Sequence, residues 1–417
     1  MTSPDRGAPT AAAVLGPAGS PAPLPDVAPA DVRRETAQAP PPVAVAPRRP
    51  RRAGAVIGAS IGIALGAAAL LFVLLYMMLA LGPGLVVAGG VMAFIPLLIV
   101  LLGLRWIDRW EPEPRSALIF AFLWGAGVSV LLALLVDAEI QGMIASSGGD
   151  PAAFEFVGAA VQAPVVEEFG KGLGLLLLFW FGRRHFDGPV DGIVYAAAVG
   201  AGFAFTENIQ YFGIALAQSN GSIAGVGEIF VIRGLMSPFA HVMFTAFTGL
   251  ALGIAARRAN GFLGVFYFLL GLIPAVLLHA FWNGALFFVY DFYGYYALIQ
   301  VPIFLMVVGL VVLLRRAEAA LTRQRLAEYA AVGWFAPEEV TALATPAGRR
   351  TAMSWARPRG LGRVMKRYIR DATRLAFARH RIVTGRAHIG AQADESALLA
   401  SILESRRALR GPAAPAV

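Results

Sequence analysis

The sequence predicts an all-α, polytopic membrane helix bundle, and three observations carry that prediction. Of its 417 residues, 58% are hydrophobic and only 15% charged, where soluble chains carry roughly 25% charged residues. The middle of the chain divides into about eight apolar stretches, each long enough to cross a bilayer as a helix. The arginines between them fall on every second loop, as they do when a bundle is threaded back and forth with its basic loops in the cytoplasm.

Residues 1–52 are rich in Pro and Ala, lack apolar periodicity and end in Arg48, Arg49, Arg51 and Arg52. They predict a disordered N-terminal tail, cytoplasmic, with a basic anchor beside the membrane. No apolar core of a signal peptide occurs there, so no cleavable signal is expected. A transmembrane domain is expected over 53–315, with spans at 54–80, 84–104, 116–136, 155–182, 190–213, 229–256, 261–289 and 294–314. Gly58, Gly62 and Gly66 repeat every four residues in the first span, a flat stripe for helix packing. The loop Asp108-Arg109-Trp110-Glu111-Pro112-Glu113-Pro114 is charged and stiff, and its prolines end any helix.

The side of each loop follows from its arginines. Arg51 and Arg52, then Arg105, Arg109 and Arg115, then Arg183 and Arg184, Arg257 and Arg258, and Arg315 and Arg316 mark one face. The loops 137–154 and 214–228 carry none of them. An even number of spans with both termini cytoplasmic fits this alternation, in a multi-pass protein of the cell membrane. Residues 316–417 form a basic helical C-terminal tail in the cytoplasm; over 363–381 arginines mix with apolar residues at helical spacing. Such a helix is expected to lie against anionic lipid headgroups.

Composition also closes several routes. The chain has no cysteine, which removes disulfides, thiol nucleophiles and thiolate metal sites. Its net charge of +9 rests almost wholly on arginine, the only lysines being Lys171 and Lys366. That charge sits in tails and short loops, so it reads as membrane topology, and no nucleic acid partner is expected.

The polar residues within the apolar stretches point to chemistry, because a charge there costs roughly 2.5–3.5 kcal/mol on insertion scales. The fourth stretch carries Glu167, Glu168 and Lys171, with Glu167 and Lys171 one helical turn apart. The fifth carries Glu207 and Asn208, the sixth His241, and the seventh His279 and Asn283, again one turn apart. At 1.5 Å per residue, Glu168, Glu207, His241 and His279 lie about 22–28 Å from the cytoplasmic ends of their helices. They therefore share one layer between the bilayer middle and its outer face, where they need water or one another.

Four blocks of these residues resemble the PrsW-type intramembrane proteases of the CAAX-protease superfamily. Glu-Glu-Phe-Gly-Lys at 167–171 resembles the family's EExxK motif, where the wider superfamily usually carries EExxxR. The run from Asp191-Gly192 through Gly202-Phe203-Ala204 to Glu207-Asn208 resembles the second block. Phe239-Ala240-His241 resembles the third, and His279-Ala280-Phe281-Trp282-Asn283 resembles the HxxxN motif. The Asp108–Pro114 loop is also similar to the family's. The resemblance covers roughly 90–315 and implies peptide-bond hydrolysis within the membrane. It implies a single-pass membrane protein as substrate, by similarity an anti-sigma factor, cut near the extracytoplasmic side.

Amide hydrolysis needs an activated water and a stabilised oxyanion. Glu167 with Glu168 suits the general base, Lys171 the counter-charge, His241 the orientation of water, and His279 and Asn283 the oxyanion. Ser237 lies near His241, but nothing completes a serine triad. A zinc version is open, with Glu168, Glu207, His241 and His279 as candidate ligands; the family is often called a metalloprotease, although no HExxH motif occurs here. Two readings from other classes compete: an ion- or proton-coupled transporter, which also uses intramembrane Glu, Lys and His, and a non-catalytic membrane scaffold.

Overall fold

A computed structural model describes residues 53–148, 151–182, 186, 188–258, 263–385 and 391–410. The expected tail over 1–52, the basic pairs Arg51–Arg52 and Arg183–Arg184, and His185 and His388 lie outside the described residues. All the regular structure described is helical. In chain order, α1 (Ala53–Leu81) and α2 (Pro83–Ile107) are joined at Gly82, whose φ of 92° favours glycine. Helix α3 (Arg115–Ser146) starts after Pro114, and α4 runs over 151–181. There follow α5 (Pro189–Gln218), α6 (Ile223–Ile229, continued by Phe230–Met236), α7 (Ala240–Arg258), α8 (Leu263–Ala285) and α9 (Phe292–Ala331).

Among the described residues, seven helices are long and apolar enough to cross a membrane. The other long helix of the bundle, α4, carries Glu167, Glu168 and Lys171 through its middle, and those charges set it apart. The expected sixth span over 229–256 is not one continuous helix. It breaks at 237–239, where Pro238 has no N–H to donate, and α7 starts afresh. Among the described residues, four wide turns with i→i+5 geometry interrupt the long helices, at Trp124–Ser129, Gly158–Gln162, Phe230–Met236 and Tyr296–Gln300. Insertions of this kind concentrate at functional sites.

The helices are arranged around α5. Of its most apolar window, 94% is buried in the protein, against 11% for α9 at the periphery. Close approach requires small residues: a Cβ on Gly192 of α5 would overlap the carbonyl of Gly249 on α7, and a Cβ on Gly249 would overlap that of Gly192. The glycine stripe of α1 packs in part. Gly62 faces Phe120 and Gly66 faces Leu123 of α3, while Gly58 meets open space.

Beyond the bundle, α10 (Pro337–Ala344), α11 (Pro346–Ala356), α12 (Gly362–Val383) and α13 (Ala391–Arg410) close on the end of α9. They share a second core that includes Leu326, Phe335, Leu343, Leu375 and Ile402. The apolar stripe expected to rest on lipid is instead covered by the chain itself: Met365, Ile369, Ala372 and Leu375 of α12 belong to this core. The Asp108–Pro114 loop holds this unit to the bundle. Trp110 donates its indole N–H to Thr322 at 3.2 Å, and Arg349 donates to the Trp110 carbonyl at 2.9 Å while lying 3.4 Å over its ring. Within that loop Asp108 accepts the Glu113 N–H at 2.9 Å. Burial pushes the Asp108 carboxyl up to about 6, against the smaller opposing effect of that hydrogen bond.

Candidate active site

The polar residues expected in one layer converge, and α4, α5, α7 and α8 each supply part of the cluster. Lys171 is fully buried, and its Nζ reaches Glu168 Oε1 at 2.7 Å, Glu167 Oε2 at 3.1 Å and His241 Nδ1 at 3.0 Å. It also lies 3.8 Å from the centre of the Phe203 ring. Helical spacing explains the grip: Glu167 and Glu168 are four and three residues before Lys171, so both carboxylates hang over the same turn.

The two carboxylates have different surroundings. Glu168 has no solvent exposure. It takes Lys171 and His279 Nδ1, the latter at 3.2 Å, on Oε1 and the Thr245 hydroxyl at 2.8 Å on Oε2. Glu167 keeps 11% of its side chain exposed and faces both imidazoles, with His241 Nδ1 and His279 Nε2 each 3.9 Å from its Oε2.

Donor chemistry fixes both histidine tautomers. An ammonium can only donate, so His241 Nδ1 accepts from Lys171 and Nε2 carries the proton, which it gives to Glu207 Oε2 at 2.7 Å. A carboxylate can only accept, so His279 Nδ1 carries a proton toward Glu168, and Nε2 is the nitrogen that faces Glu167. Each ring thus has a carboxylate on its far nitrogen, the arrangement that orients metal-ligating histidines, while His241 Nδ1, the nitrogen nearer Glu167, is engaged by Lys171.

Glu167, His241 and His279 offer ligand atoms all within 4.8 Å of one another. Two imidazoles and a carboxylate form the three-ligand set of a catalytic zinc site with an open fourth position, so the residues fit a divalent metal once Lys171 Nζ, at 3.1 Å from Glu167 Oε2 and 3.0 Å from His241 Nδ1, moves aside. The set differs from the ligands expected from sequence. Glu167 stands among the donors, while Glu168 and Glu207 stand behind the histidines as their hydrogen-bond acceptors.

Packing holds the rings in place. Phe244 stacks on His279 with centroids 4.5 Å apart, and Trp282 packs edge-on against Phe244 at 5.7 Å. Trp124, in the wide turn of α3, donates to the Gly170 carbonyl at 2.9 Å. Asn283 stands one turn beyond His279 and donates to the Ala159 carbonyl at 3.1 Å. It therefore clamps α8 to the wide turn of α4. Beside that clamp an apolar cleft of about 490 Å³ opens between α4 and α8, lined by Phe156, Ala160, Ala280, Phe281, Gly284 and Phe288. Ser237 lies in the break before α7.

Sequence reasoning missed Arg233. Its guanidinium pairs with Glu207 Oε2 at 2.5 Å, donates to Asn208 at 3.2 Å and lies 3.8 Å over the Tyr211 ring. A signal was present: Arg233 is the one Lys or Arg between Arg184 and Arg257, in a stretch otherwise free of positive charge.

Comparison with known proteins bears on this geometry. Residues 113–310 match the model of the PrsW family of intramembrane metalloproteases. The chain is 35% identical to Protease PrsW of Geobacillus kaustophilus over 150 residues, which is 36% of this chain and 58% of that protein. It is 30% identical to Protease PrsW of Clostridioides difficile over 189 residues, 45% of this chain and 75% of that one. With Protease PrsW of Bacillus subtilis it shares 30% identity over 173 residues, 41% of this chain and 70% of that one. The chain thus spans between about half and three quarters of these relatives. No solved structure matches it.

Proposed function

The chain belongs to the PrsW family of intramembrane metalloproteases, and from that premise we propose that it hydrolyses peptide bonds of single-pass membrane proteins near the extracytoplasmic side of the cell membrane. The transport and scaffold readings give way to that premise. By the same resemblance, its substrates are regulators of the anti-sigma-factor kind. The arginine alternation supports both termini lying in the cytoplasm, with exposed tail arginines against anionic headgroups.

The observation that carries the reading is the convergence of Glu167 Oε2, His241 Nδ1 and His279 Nε2 around one point inside the bundle. A divalent ion held by these three would supply Lewis acidity to the scissile carbonyl and to water. Glu167, the more exposed carboxylate of the pair, would hold the ion through Oε2 and offer its other oxygen, Oε1, to the proton of the attacking water, which it returns to the leaving amide nitrogen. Lys171 supplies the counter-charge for Glu168 and Glu167, and an ion on His241 Nδ1 would displace it from that nitrogen. Glu168, fixed by Thr245, orients His279, and Glu207 orients His241. Asn283 holds the end of α8 in register with α4. The apolar cleft beside it is a fitting entrance for a substrate's membrane segment.

The test is cleavage of a single-pass substrate by the purified protein in proteoliposomes. Glu167→Gln preserves shape and should lower hydrolysis by ~10²–10⁴-fold, the usual loss for a general acid–base group. Chelation should abolish cleavage and zinc should restore it. Near-normal cleavage by Glu167→Gln would refute the assignment of Glu167, and full cleavage by protein free of metal would refute the role of the ion.

A further inference from the structure

We propose that Arg233 is a positioning residue for His241, acting through Glu207; the inference rests on the protease reading above and extends it to a residue outside the four motif blocks. The argument starts from the break in the sixth span. Arg233 closes α6, His241 opens α7, and residues 237–239 between them are not helical. The regular ladder is interrupted there, and Ser237 carries the backbone link, its N–H donating to the Ile232 carbonyl at 3.0 Å and its carbonyl accepting from Ala240 at 3.2 Å. A side-chain bridge braces that link: Glu207 Oε2, on the unbroken α5, takes Arg233 Nη2 at 2.5 Å and His241 Nε2 at 2.7 Å.

Arg233 is itself held at three points on one face of α5, by Glu207, Asn208 and Tyr211. Its wide turn is tied from outside as well, since Tyr296 donates to the Met236 carbonyl at 2.8 Å. A carboxylate among apolar helices needs a counter-charge, and Lys171 is already engaged by Glu167 and Glu168. Arg233 supplies the counter-charge for Glu207. A fixed Glu207 accepts from His241 Nε2–H, and that keeps Nδ1 as the nitrogen turned toward Lys171 and Glu167. Arginine suits the task because its planar fork presents Nε to Asn208 and Nη2 to Glu207 in a fixed geometry, where an ammonium is a point charge on a flexible stem.

The experiment reads two quantities on the purified full-length protein. Zinc affinity, titrated into chelator-stripped protein, should fall ~10–100-fold in Arg233→Gln, as for other losses of a histidine's outer partner, and less in Arg233→Lys. In metal-free protein labelled with ¹⁵N-histidine, five rings are to be resolved. His241 should be the Nε2–H tautomer in the wild type and a mixture in Arg233→Gln. Glu207→Gln removes the intermediary, so adding Arg233→Gln to it should change zinc affinity by less than twofold. Unchanged affinity and an unchanged His241 spectrum in Arg233→Gln would overturn the proposal, as would additive losses in the double variant. If Arg233→Gln does not fold, Glu207→Gln against the double variant decides. A wild type that binds no zinc would refute the metal reading alone, and the histidine spectra would still decide the role of Arg233.

Discussion

Two threonines three residues apart on α7 should respond with opposite signs to the same substitution. Both Thr245 and Thr248 are fully buried. The Thr245 hydroxyl donates to Glu168 Oε2 at 2.8 Å, whereas the Thr248 hydroxyl has no hydrogen-bond partner. Valine matches threonine in shape, and both are β-branched, so helix propensity changes little. Thr245→Val removes a hydrogen bond to a charged acceptor, which is worth ~1.5–3 kcal/mol. That is above the ~0.6 kcal/mol average for hydrogen bonds between membrane helices, because the acceptor is ionised and no water can replace the hydroxyl. Thr248→Val removes an unsatisfied buried hydroxyl and should stabilise by ~1 kcal/mol. Equilibrium unfolding in mixed detergent micelles, titrated with SDS, should place the two variants at least ~2 kcal/mol apart on either side of the wild type. Thr245→Val should also slow cleavage by about tenfold, the equivalent of ~1.4 kcal/mol, through looser orientation of His279. Equal shifts of the same sign would refute the reasoning.

Asp108 sets a pH dependence outside the membrane. Its folded-state carboxyl is raised from 3.8 to about 6, so the folded protein binds the proton more tightly than the unfolded chain does. Stability should therefore fall as pH rises from about 4 to 6 and level off above. Asp108→Asn should flatten that segment of the profile, measured as SDS midpoint against pH, and an unaltered slope would point to another group. At the α5–α7 contact, Gly192→Ala forces a methyl onto the Gly249 carbonyl and should cost ~1–3 kcal/mol or more by overpacking. The fraction recovered monodisperse after detergent extraction should drop sharply.

Much of the site was legible because charge in an apolar stretch is improbable without a purpose. Glu167, Glu168, Lys171, Glu207, His241 and His279 all stood out that way, and all meet in the structure. What the sequence left open was which of two adjacent glutamates faces the histidines. Neighbours on a helix point about 100° apart, and the rotation of α4 is set by contacts such as Trp124 on Gly170, which no local pattern reveals. Arg233 escaped because its partner lies on another helix, 26 residues earlier. Asn283 read as an oxyanion donor because it shares a face with His279, yet its amide is directed to the backbone of α4. The helical periodicity of 363–381 was legible too, but not what would cover it. A lipid surface and a second protein core select the same apolar stripe, and α12 uses the latter.

The Trp110 contact also implies a timetable. Its indole waits for Thr322, 212 residues further along the chain, and its carbonyl for Arg349, 239 residues further along. At the ~5–20 residues per second of synthesis, the loop is made roughly 12–50 s before the arginine that covers it. Throughout that interval the nascent bundle holds an open tryptophan at its rim. A ribosome stalled before codon 349 would leave the face unfinished, with membrane helices in place and nothing to close over them.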